Sequence, residues 1–352
     1  MSGFKATFVY SVLTPFVRKD IEILNKMNVS LSQIRSAPKK DFLNFFTNRF
    51  KELFKSILFI PKSQLVICWF SDYHGLIPLL LSRIFKKKFV VIVGGYDAVS
   101  YKDLKHGVFQ KRNLRSKIAS LIYNYATEIW VVHKSLIYGC KQSKDFLNID
   151  SGIKTFLKNL NTEIKEVATG YDFSFWKSTK NRRNKNTILT VANIDNLRTF
   201  KIKGLPQFIE LARSLHNFKF TIVGLSKKMI LNIEKPKNIT LIGKVNSNKL
   251  IELYSENFFY YQGSIIEGLP NVLCEAMLCE CVPIGNNVFG ISDAIGDTGF
   301  IFNGFEELYK VKEFLKSKID INGKKARERI KKKYPLSKRV ENFKSLLGGA
   351  KV

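Results

Sequence analysis

NFFYYQGSIIEGLPNVLCEAM, residues 257–277, is the stretch that decides the fold of this chain. Its first part, 257–261, is mostly aromatic and predicts a buried strand. A helical pattern follows over 271–279, and the turn-forming Gly268 and Pro270 lie between the two elements. A strand that leads through a short loop into a helix places the loop at the carboxyl end of a parallel sheet, where α/β proteins bind ligands.

Two glutamates in this stretch, Glu267 and Glu275, are eight residues apart. The first precedes the helix and the second lies one turn inside it, so they can reach opposite ends of one bound molecule. A carboxylate accepts hydrogen bonds from two hydroxyls of a sugar, and a helix N-terminus attracts an anion. Glutamates at this spacing are, taken alone, more often solvated helix charges, so the surrounding residues decide between the two interpretations.

Outward from this stretch, short strand patterns alternate with longer helical patterns. Strands are predicted at 5–10, 65–70, 89–93 and 128–132, and again at 187–192, 218–223, 239–242, 257–261 and 281–284. Helices are predicted at 74–86, 111–125, 135–146, 204–216, 247–255 and 271–279. This alternation predicts an α/β protein with two Rossmann-like parallel sheets, and the polar stretch 177–186 is the predicted linker between them.

The composition narrows the possible partners. The chain has 352 residues, 58 Lys and Arg against 29 Asp and Glu, and a net charge of +29. Such an excess favours nucleic acid, acidic lipid headgroups or phosphorylated substrates, although lysines that only solvate the surface explain it equally well. Nucleic acid is not expected, because the sequence has no RRM, helix-turn-helix, OB or zinc signature.

Cysteines and apolar runs indicate the compartment. The five cysteines form no CxxC pair, which argues against a disulfide framework and a zinc site and favours a reducing compartment. We expect neither a signal peptide nor a membrane-spanning helix, since no apolar run reaches about 18 residues. The predicted location is cytoplasmic, with peripheral binding to the cytoplasmic face of a membrane as a further expectation.

The segment around Glu267 and Glu275 resembles the E-x7-E motif of the family 4 retaining glycosyltransferases. The resemblance extends through EGLPNVLCEAM and the following CVPIGNN and GISDAIGDTG, and it covers 187–303 well. It implies the GT-B fold, in which two Rossmann-like domains face each other across a deep cleft. The implied organisation is an acceptor-side domain, 1–176, and a nucleotide-sugar domain, 187–333. The predicted helix within 334–352 has no assigned domain on periodicity alone.

The resemblance also implies roles for individual residues. Glu267 would contact the transferred sugar, and Glu275 would hold the ribose of the nucleotide. The loop and first helical turn would face the diphosphate and sugar, through Gly268, Leu269, Pro270, Asn271 and Val272.

A second match, TILTVAN…KIKGL, resembles the lysine–glycine loop of the same family. The implied role of Lys203 is to neutralise the departing diphosphate. The family arginine is replaced by Asn193, so Arg198 or Lys201 would substitute for it, or one cation and the helix dipole would suffice.

The acceptor side matches the family less closely. Gly95 lies in a flexible loop after the third strand, and Gly94 stands where relatives carry a histidine. His133, at the end of a predicted strand, and His74 are the polar candidates expected to face the cleft, and His133 is the predicted catalytic residue of the two. The aromatic stretch 42–60 is either a core helix or an interfacial helix that inserts Phe side chains into an anionic lipid surface.

The resulting hypothesis is a retaining glycosyltransferase of hexosyltransferase type. It would move a sugar from a nucleotide-diphosphate sugar to a glycan or lipid-linked acceptor in cell-surface polysaccharide or glycolipid synthesis. No cofactor is expected, and no metal, because there is no Asp-x-Asp sequence. The alternatives are a catalytically degenerate partner subunit of the same fold and a basic protein that binds membranes or nucleic acid.

Overall fold

The structure is a computed structural model that describes residues 3–37, 42–143, 148–180, 183–317 and 322–348. The chain divides into two compact units. Unit 1 comprises Met1–Gly139, Ile149–Thr169 and Ser337–Val352, and unit 2 comprises Cys140–Asn148 and Gly170–Leu336. Each unit contains one six-stranded sheet.

The sheet of unit 1 is parallel and has the order β2-β1-β3-β4-β6-β8. Its strands are β1 (Lys5–Tyr10), β2 (Ser30–Arg35), β3 (Leu65–Trp69), β4 (Lys88–Val93), β6 (Glu128–Val131) and β8 (Glu163–Glu166). A short antiparallel pair is formed by β5 (Val99–Ser100) and β7 (Asp150–Ser151). The central strands are buried along their length because helices cover both faces of a parallel sheet.

The helices of unit 1 follow the alternating order predicted from the sequence. They are α1 (Pro15–Lys26), α2 (Phe42–Phe59), α3 (Tyr73–Ile84), α4 (Leu114–Tyr125), α5 (Ser135–Tyr138), α6 (Ile153–Phe156) and the C-terminal α15 (Leu336–Leu346). Among the described residues, no helix is both long enough and apolar enough to cross a membrane.

The sheet of unit 2 is also parallel and has the order β11-β10-β9-β12-β13-β14. Its strands are β9 (Asn184–Ile194), β10 (Lys219–Leu225), β11 (Ile239–Gly243), β12 (Asn257–Gln262), β13 (Val282–Asn286) and β14 (Phe300–Phe302). The strand order reverses direction between β9 and β12. In open α/β sheets the loops after two such strands form the ligand-binding crevice.

Eight helices are described in unit 2. They are α7 (Leu197–Ile202), α8 (Leu205–Ser214), α9 (Lys227–Asn232), α10 (Ser247–Glu256), α11 (Asn271–Leu278), α12 (Gly290–Ile295), α13 (Leu308–Lys316) and α14 (Gly323–Lys333). Aromatic rings join α8 to the sheet, since Phe208 lies with its ring centroid 5.1 Å from that of Phe220 and 5.2 Å from that of Tyr261. This packing fixes the start of α8, which lies beside the candidate site.

Several boundaries differ from those predicted. The helix predicted over 135–146 ends at Tyr138, because Gly139 has φ +94°, which a helix cannot contain; residues 144–147 lie outside the described part of the chain. The predicted linker 177–186 runs into β9, and unit 2 begins already at Gly170. Strands β2, β8 and β14 were not predicted.

The C-terminal helix α15 belongs to unit 1 and is held there by a buried ion pair. Arg339 Nε donates to Asp20 Oδ1 at 2.7 Å and Nη2 donates to Oδ2 at 2.6 Å, and neither side chain is exposed. Trp69 Nε1 donates to the same carboxylate at 2.8 Å, and Arg339 Nη1 donates to the carbonyl oxygen of Val167 at 2.9 Å. Because its polar atoms are hydrogen-bonded, the pair is stable although it is removed from water.

Candidate active site

Two backbone loops of unit 2 meet at the carboxyl end of its sheet. Gly204 starts α8 with φ +68°, and a Cβ atom there would lie 2.1 Å from the carbonyl oxygen of Gly263. Ile265 N–H donates to the carbonyl oxygen of Ile202 at 2.9 Å. The loop after α7 and the loop after β12 therefore touch backbone to backbone, and only glycine fits at the contact. This approach brings Lys203 to Glu267.

Glu267 is the centre of a polar cluster. Lys203 Nζ forms an ion pair with Glu267 Oε1, and the two side chains are 25% and 15% exposed. Ser264 Oγ donates to the same oxygen at 3.1 Å, and Gln262 Nε2 lies 3.4 Å from it. These contacts converge on Oε1. In the described part of unit 2, Oε2 has no hydrogen bond and keeps its lone pairs for a ligand.

Gln262 and Ser264, which the sequence does not identify as site residues, hold this carboxylate. Gln262 ends β12, and its Nε2 donates to Ser264 Oγ at 2.7 Å. Behind it, Tyr260 Oη donates to Gln262 Oε1 at 3.2 Å, and burial raises the pKa of Tyr260 well above its usual value. Asn286 Nδ2 donates to the carbonyl oxygen of Ser264 at 3.3 Å. A polar residue that ends an otherwise aromatic strand is the signal that would have pointed to Gln262.

The loop 268–270 is buried and leads into α11, which begins at Asn271. The carbonyl oxygen of Gly268 accepts a hydrogen bond from Gly290 N–H at 3.0 Å, and Leu269 is only 4% exposed. The first intrahelical bond runs from Cys274 N–H to the carbonyl oxygen of Pro270 at 3.3 Å. No acidic residue lies in the first turn, so no neighbouring carboxylate on the helix opposes the attraction of the helix dipole for an anion.

The remaining residues of that turn and Glu275 lie along the same helix. Asn271, Val272 and Glu275 are half-buried, whereas the adjacent Ala276 is fully buried. The charge of Glu275 adds to burial in raising the pKa of Tyr254, which places the carboxylate near that ring. Glu275 thus lies on the helix whose first turn follows the Glu267 loop.

The three residues considered in place of the family arginine lie apart from this cluster. Asn193 is exposed near the end of β9, and Arg198 and Lys201 are exposed on α7. The contacts of Glu267 involve none of the three. Among the predicted cations, the structure brings Lys203 alone to Glu267.

In unit 1, Gly95 lies in a loop ordered by a buried carboxylate. It has φ +138°, and its N–H donates to Asp97 Oδ1 at 3.2 Å. Ser71 N–H donates to Asp97 Oδ2 at 3.0 Å. Burial raises the pKa of Asp97 to about 6, although these backbone hydrogen bonds act in the opposite direction.

Both histidine candidates are buried within unit 1. His133 is 2% exposed, and its Nδ1 lies 2.8 Å from Ser135 Oγ and accepts from Ser135 N–H at 3.3 Å. His74 is 3% exposed, its Nε2 contacts the carbonyl oxygen of Trp69 at 2.8 Å, and burial lowers its pKa. Their observed contacts hold the loops that follow β6 and β3.

Residues 173–334 match the family of glycosyl transferases group 1. This part of the chain lies entirely within unit 2. It contains Lys203, Glu267, Glu275 and the loop between the two glutamates, so the resemblance seen in the sequence and the prediction of a glycosyltransferase are confirmed. No match was found among curated proteins.

Solved structures resemble the glycosyltransferase at low sequence identity. Sucrose-phosphate synthase from Thermosynechococcus elongatus has TM-score 0.71 at 12% identity, with 98% of each chain covered. Trehalose-6-phosphate synthase from E. coli, bound with UDP-2-fluoro glucose, has TM-score 0.68 at 9% identity, over 97% of this chain and 98% of that one. The pneumococcal O-GlcNAc transferase GtfA, in complex with UDP and GlcNAc, has TM-score 0.61 at 16% identity; 85% of this chain spans 59% of that longer protein. These likenesses confirm the predicted GT-B fold of two Rossmann-like domains.

Proposed function

We propose that unit 2 of this glycosyltransferase binds a nucleotide-diphosphate sugar and transfers the sugar with retention of its anomeric configuration. In this proposal Glu275 binds the ribose, Glu267 binds the sugar, and the diphosphate lies between Lys203 and the first turn of α11. The observation that supports it most directly is the Lys203–Glu267 ion pair beside a helix N-terminus without acidic residues. UDP and sugars bound to the similar structures agree with this class of donor.

The ion pair explains how the leaving group would be stabilised. Lys203 is already charged and half-buried, so it needs no large rearrangement to face the negative charge that develops on the diphosphate. Lys203 and the helix dipole of α11 supply the charge stabilisation that a metal provides in other transferases. We therefore propose transfer without a metal ion, and we expect nucleoside diphosphate release to continue in excess EDTA.

Retention needs no protein nucleophile in this site. The Oε1 atom of Glu267 is engaged by Lys203 and Ser264, which stabilise its negative charge and lower its nucleophilicity. The departing diphosphate is then the base that assists the acceptor hydroxyl on the same face of the sugar. The carboxylate is assigned to hydroxyl binding, and not to the role of a glycosidase nucleophile.

We propose that unit 1 binds a glycan or lipid-linked acceptor, in cell-surface polysaccharide or glycolipid synthesis, at the cytoplasmic face of a membrane. The loop that contains Gly95 is at the carboxyl end of β4, where ligands of α/β sheets bind. His133 is assigned a positioning role in the neighbouring loop, because its ring is buried against Ser135.

A binding and turnover assay tests the proposal. The protein is titrated with UDP-, GDP- and ADP-sugars, and nucleoside diphosphate release is followed with and without lipid-linked acceptor. Glu275→Ala removes a hydrogen bond to a charged group and should weaken binding of the active donor by about 10- to 100-fold. Glu234→Ala, at an exposed position on the same unit, is the matched control and should bind normally.

Three outcomes distinguish the hypotheses. Donor binding with turnover supports the enzyme. Donor binding without turnover on any acceptor indicates the degenerate partner subunit, for which the replacement of the family arginine by Asn193 is the evidence. Absence of sugar-nucleotide binding, or equal binding by Glu275→Ala and the wild type, contradicts the assignment of the site.

A further inference from the structure

Helix α2 packs on unit 1 with buried polar side chains, and most of its exposed side chains are apolar. Glu52 and Ser56 are 2% and 0% exposed, and both belong to the face that packs on unit 1. Phe50 and Phe54 are each 71% exposed. The exposed apolar side chains of the helix are Leu43, Phe46, Phe50, Leu53, Phe54, Ile57 and Leu58. Ordinary surface helices show the opposite arrangement.

The exposed apolar residues form one continuous stripe. Their spacing of three, four and seven residues places them on one side of a helix with 3.6 residues per turn. Lys51 and Lys55 are exposed on one side of that stripe, about 100° and about 140° from its centre. We call this surface the α2 face. Lys39 and Lys40, which precede the helix in sequence, lie outside the described residues.

Buried polar contacts fix the rotation of α2. Arg49 Nη1 lies 2.9 Å from Glu52 Oε2, and Arg49 Nη2 donates to Ser36 Oγ at the end of β2. Asn48 Nδ2 donates to the carbonyl oxygen of Ala37 at 3.2 Å. Turning the helix to bury its phenylalanines would break these contacts and expose the buried side chains of Glu52 and Ser56. The outward direction of the α2 face is therefore specified by the sequence.

The neighbouring helix α3 also has exposed apolar side chains and a lysine at its C-terminal end. It packs on α2, with the Phe45 and Tyr73 ring centroids 5.5 Å apart. Ile84 is 69% exposed, and Phe85 after the helix is 40% exposed. Lys86, which follows the helix, is exposed, and Lys87 is half-buried. Apolar side chains and cations thus recur together on two adjacent helices.

We propose that the α2 face docks on a bilayer that contains anionic lipid. Interfacial helices combine Phe and Leu on one side with Lys at the polar boundary, and they bind through buried apolar area and attraction to anionic headgroups. The exposed lysines and the net charge of +29 complement such a surface. In a two-fold contact between antiparallel copies of α2, by contrast, Lys51 and Lys55 of both chains would lie on the same side of the contact and repel each other. A lipid surface is thereby assigned as the partner of the acceptor-side unit, which deepens the proposed function. The docking rests on the proposed function only in taking the acceptor to be lipid-linked.

Vesicle sedimentation of the full chain tests the docking. The vesicles are phosphatidylcholine alone or phosphatidylcholine with phosphatidylglycerol. Phe50→Ser with Phe54→Ser should weaken binding about tenfold or more, because two exposed aromatic rings no longer enter the interface. Lys51→Glu with Lys55→Glu should weaken binding to anionic vesicles about tenfold at low salt and have little effect at high salt. Leu231→Ser, at an 85% exposed position on α9, is the matched control and should bind as the wild type does.

A second measurement does not depend on losing an apolar side chain. Phe50→Trp preserves an aromatic ring at the surface, and its fluorescence should be quenched by brominated lipid, whereas that of Leu231→Trp should not. Equal vesicle binding by the wild type and the Phe50→Ser, Phe54→Ser variant overturns the proposal, as does absence of quenching at Trp in place of Phe50. A dimer that this variant dissociates, without vesicle binding by the wild type, assigns the face to a second copy and also overturns it.

The docking proposal and the proposed donor site can be tested independently of each other. Glu275→Ala should lose donor binding and still sediment with vesicles, while Phe50→Ser with Phe54→Ser should bind the sugar nucleotide with unchanged affinity in solution. Vesicle binding without any donor binding would leave the docking surface in place and remove the proposed function.

Discussion

At the scale of single residues, the site depends on one shared oxygen atom. Lys203, Ser264 and Gln262 all contact Glu267 Oε1, so the carboxylate is held on one side while Oε2 has no hydrogen bond within the described part of unit 2. An ionised carboxylate with several donors on one oxygen has little rotational freedom. In the proposed site, its second oxygen would be preorganised for a sugar hydroxyl, which would reduce the entropy that binding must overcome.

Lys203→Ala should lower kcat about 100- to 1,000-fold, since removal of one preorganised electrostatic group typically has this effect. The measurement is nucleoside diphosphate release with the donor and acceptor identified by the panel. Arg198→Ala and Lys201→Ala show whether either replaces the family arginine, and a loss as large as that of Lys203→Ala would identify it. Lys237→Ala, an exposed lysine before β11, is the control. Wild-type kcat in Lys203→Ala would remove the lysine from the mechanism.

Gln262 and Ser264 are expected to act as one unit in positioning Glu267. Gln262→Ala and Ser264→Ala should each lower kcat about tenfold and change the KM for the donor little, because both hydrogen bonds hold the carboxylate and neither residue is assigned a donor contact. The loss of transition-state stabilisation in the double variant should be smaller than the sum of the two single losses by about 0.5–1.4 kcal/mol, the larger value applying if the second substitution adds nothing. Additive losses, or losses confined to KM, would contradict the positioning role.

The sequence identified the residues of the site whose role follows from a motif, and missed those whose role follows from packing. Glu267, Lys203 and the loop before α11 were predicted, and the structure brings Lys203 and Glu267 together. Gln262 was missed because its function depends on the direction of one side chain at a strand end. The sequence predicts that His133 faces the cleft, but it does not predict the contact of His133 with Ser135. Burial of a polar ring depends on tertiary packing, which the local sequence does not reveal.

At the scale of secondary-structure elements, prediction succeeded where strands are buried. Strands β3 and β4 are buried on both faces and have uninterrupted apolar sequences, so their pattern was visible. Strands β2 and β8 lie at the edges of the unit 1 sheet and have the polar sequences SLSQIR and EIKE. Edge strands pair on one side only and remain partly solvated, which is why neither was predicted.

The helix α2 leads to a prediction about pH. Burial raises the pKa of Glu52 from its usual value of 4.5 to about 7, although Arg49 acts in the opposite direction. The folded state thus favours the protonated form of Glu52. The contribution of this group to stability is complete below about pH 4.5 and is lost as the pH rises through about 7. Over that pH range the free energy of unfolding of the wild type should fall by about 3 kcal/mol relative to that of Glu52→Gln.

The measurement for Glu52 is denaturant unfolding of both proteins at several pH values. A Trp176→Phe background leaves Trp69 and Trp130, both in unit 1, as the fluorescence reporters. The difference between the two curves isolates Glu52 from other titrating groups such as Asp97. Parallel pH dependences of the two unfolding free energies would show that Glu52 does not titrate in this window.

At the scale of the whole molecule, each unit has its own source of stability. Donor nucleotide should raise the unfolding temperature of unit 2, because it binds the folded state only. Unit 1 depends on the buried pair of Asp20 and Arg339, which is surrounded by the rings of Trp69, Trp130 and Phe343. Unfolding of the full chain should therefore be treated as two transitions, and not as one two-state process.

Arg339→Met should destabilise unit 1 by about 3–5 kcal/mol, because Asp20 would be left as an uncompensated buried charge. Thermal unfolding monitored by Trp69 and Trp130 measures this loss. Asp20→Leu combined with Arg339→Met removes both charges and should recover most of the stability. A double variant as unstable as Arg339→Met alone would show that the packing of α15, and not the charge balance, determines the effect.

The assignment of α15 to unit 1 has a consequence for biosynthesis. Residues are added from the N-terminus, so Asp20 is made early and is paired only after Arg339 has been translated. The long segment Gly170–Leu336 of unit 2 is finished before that. We expect the N-terminal unit to complete its folding after unit 2, and truncation before Ser337 to leave unit 2 folded and unit 1 open to proteolysis.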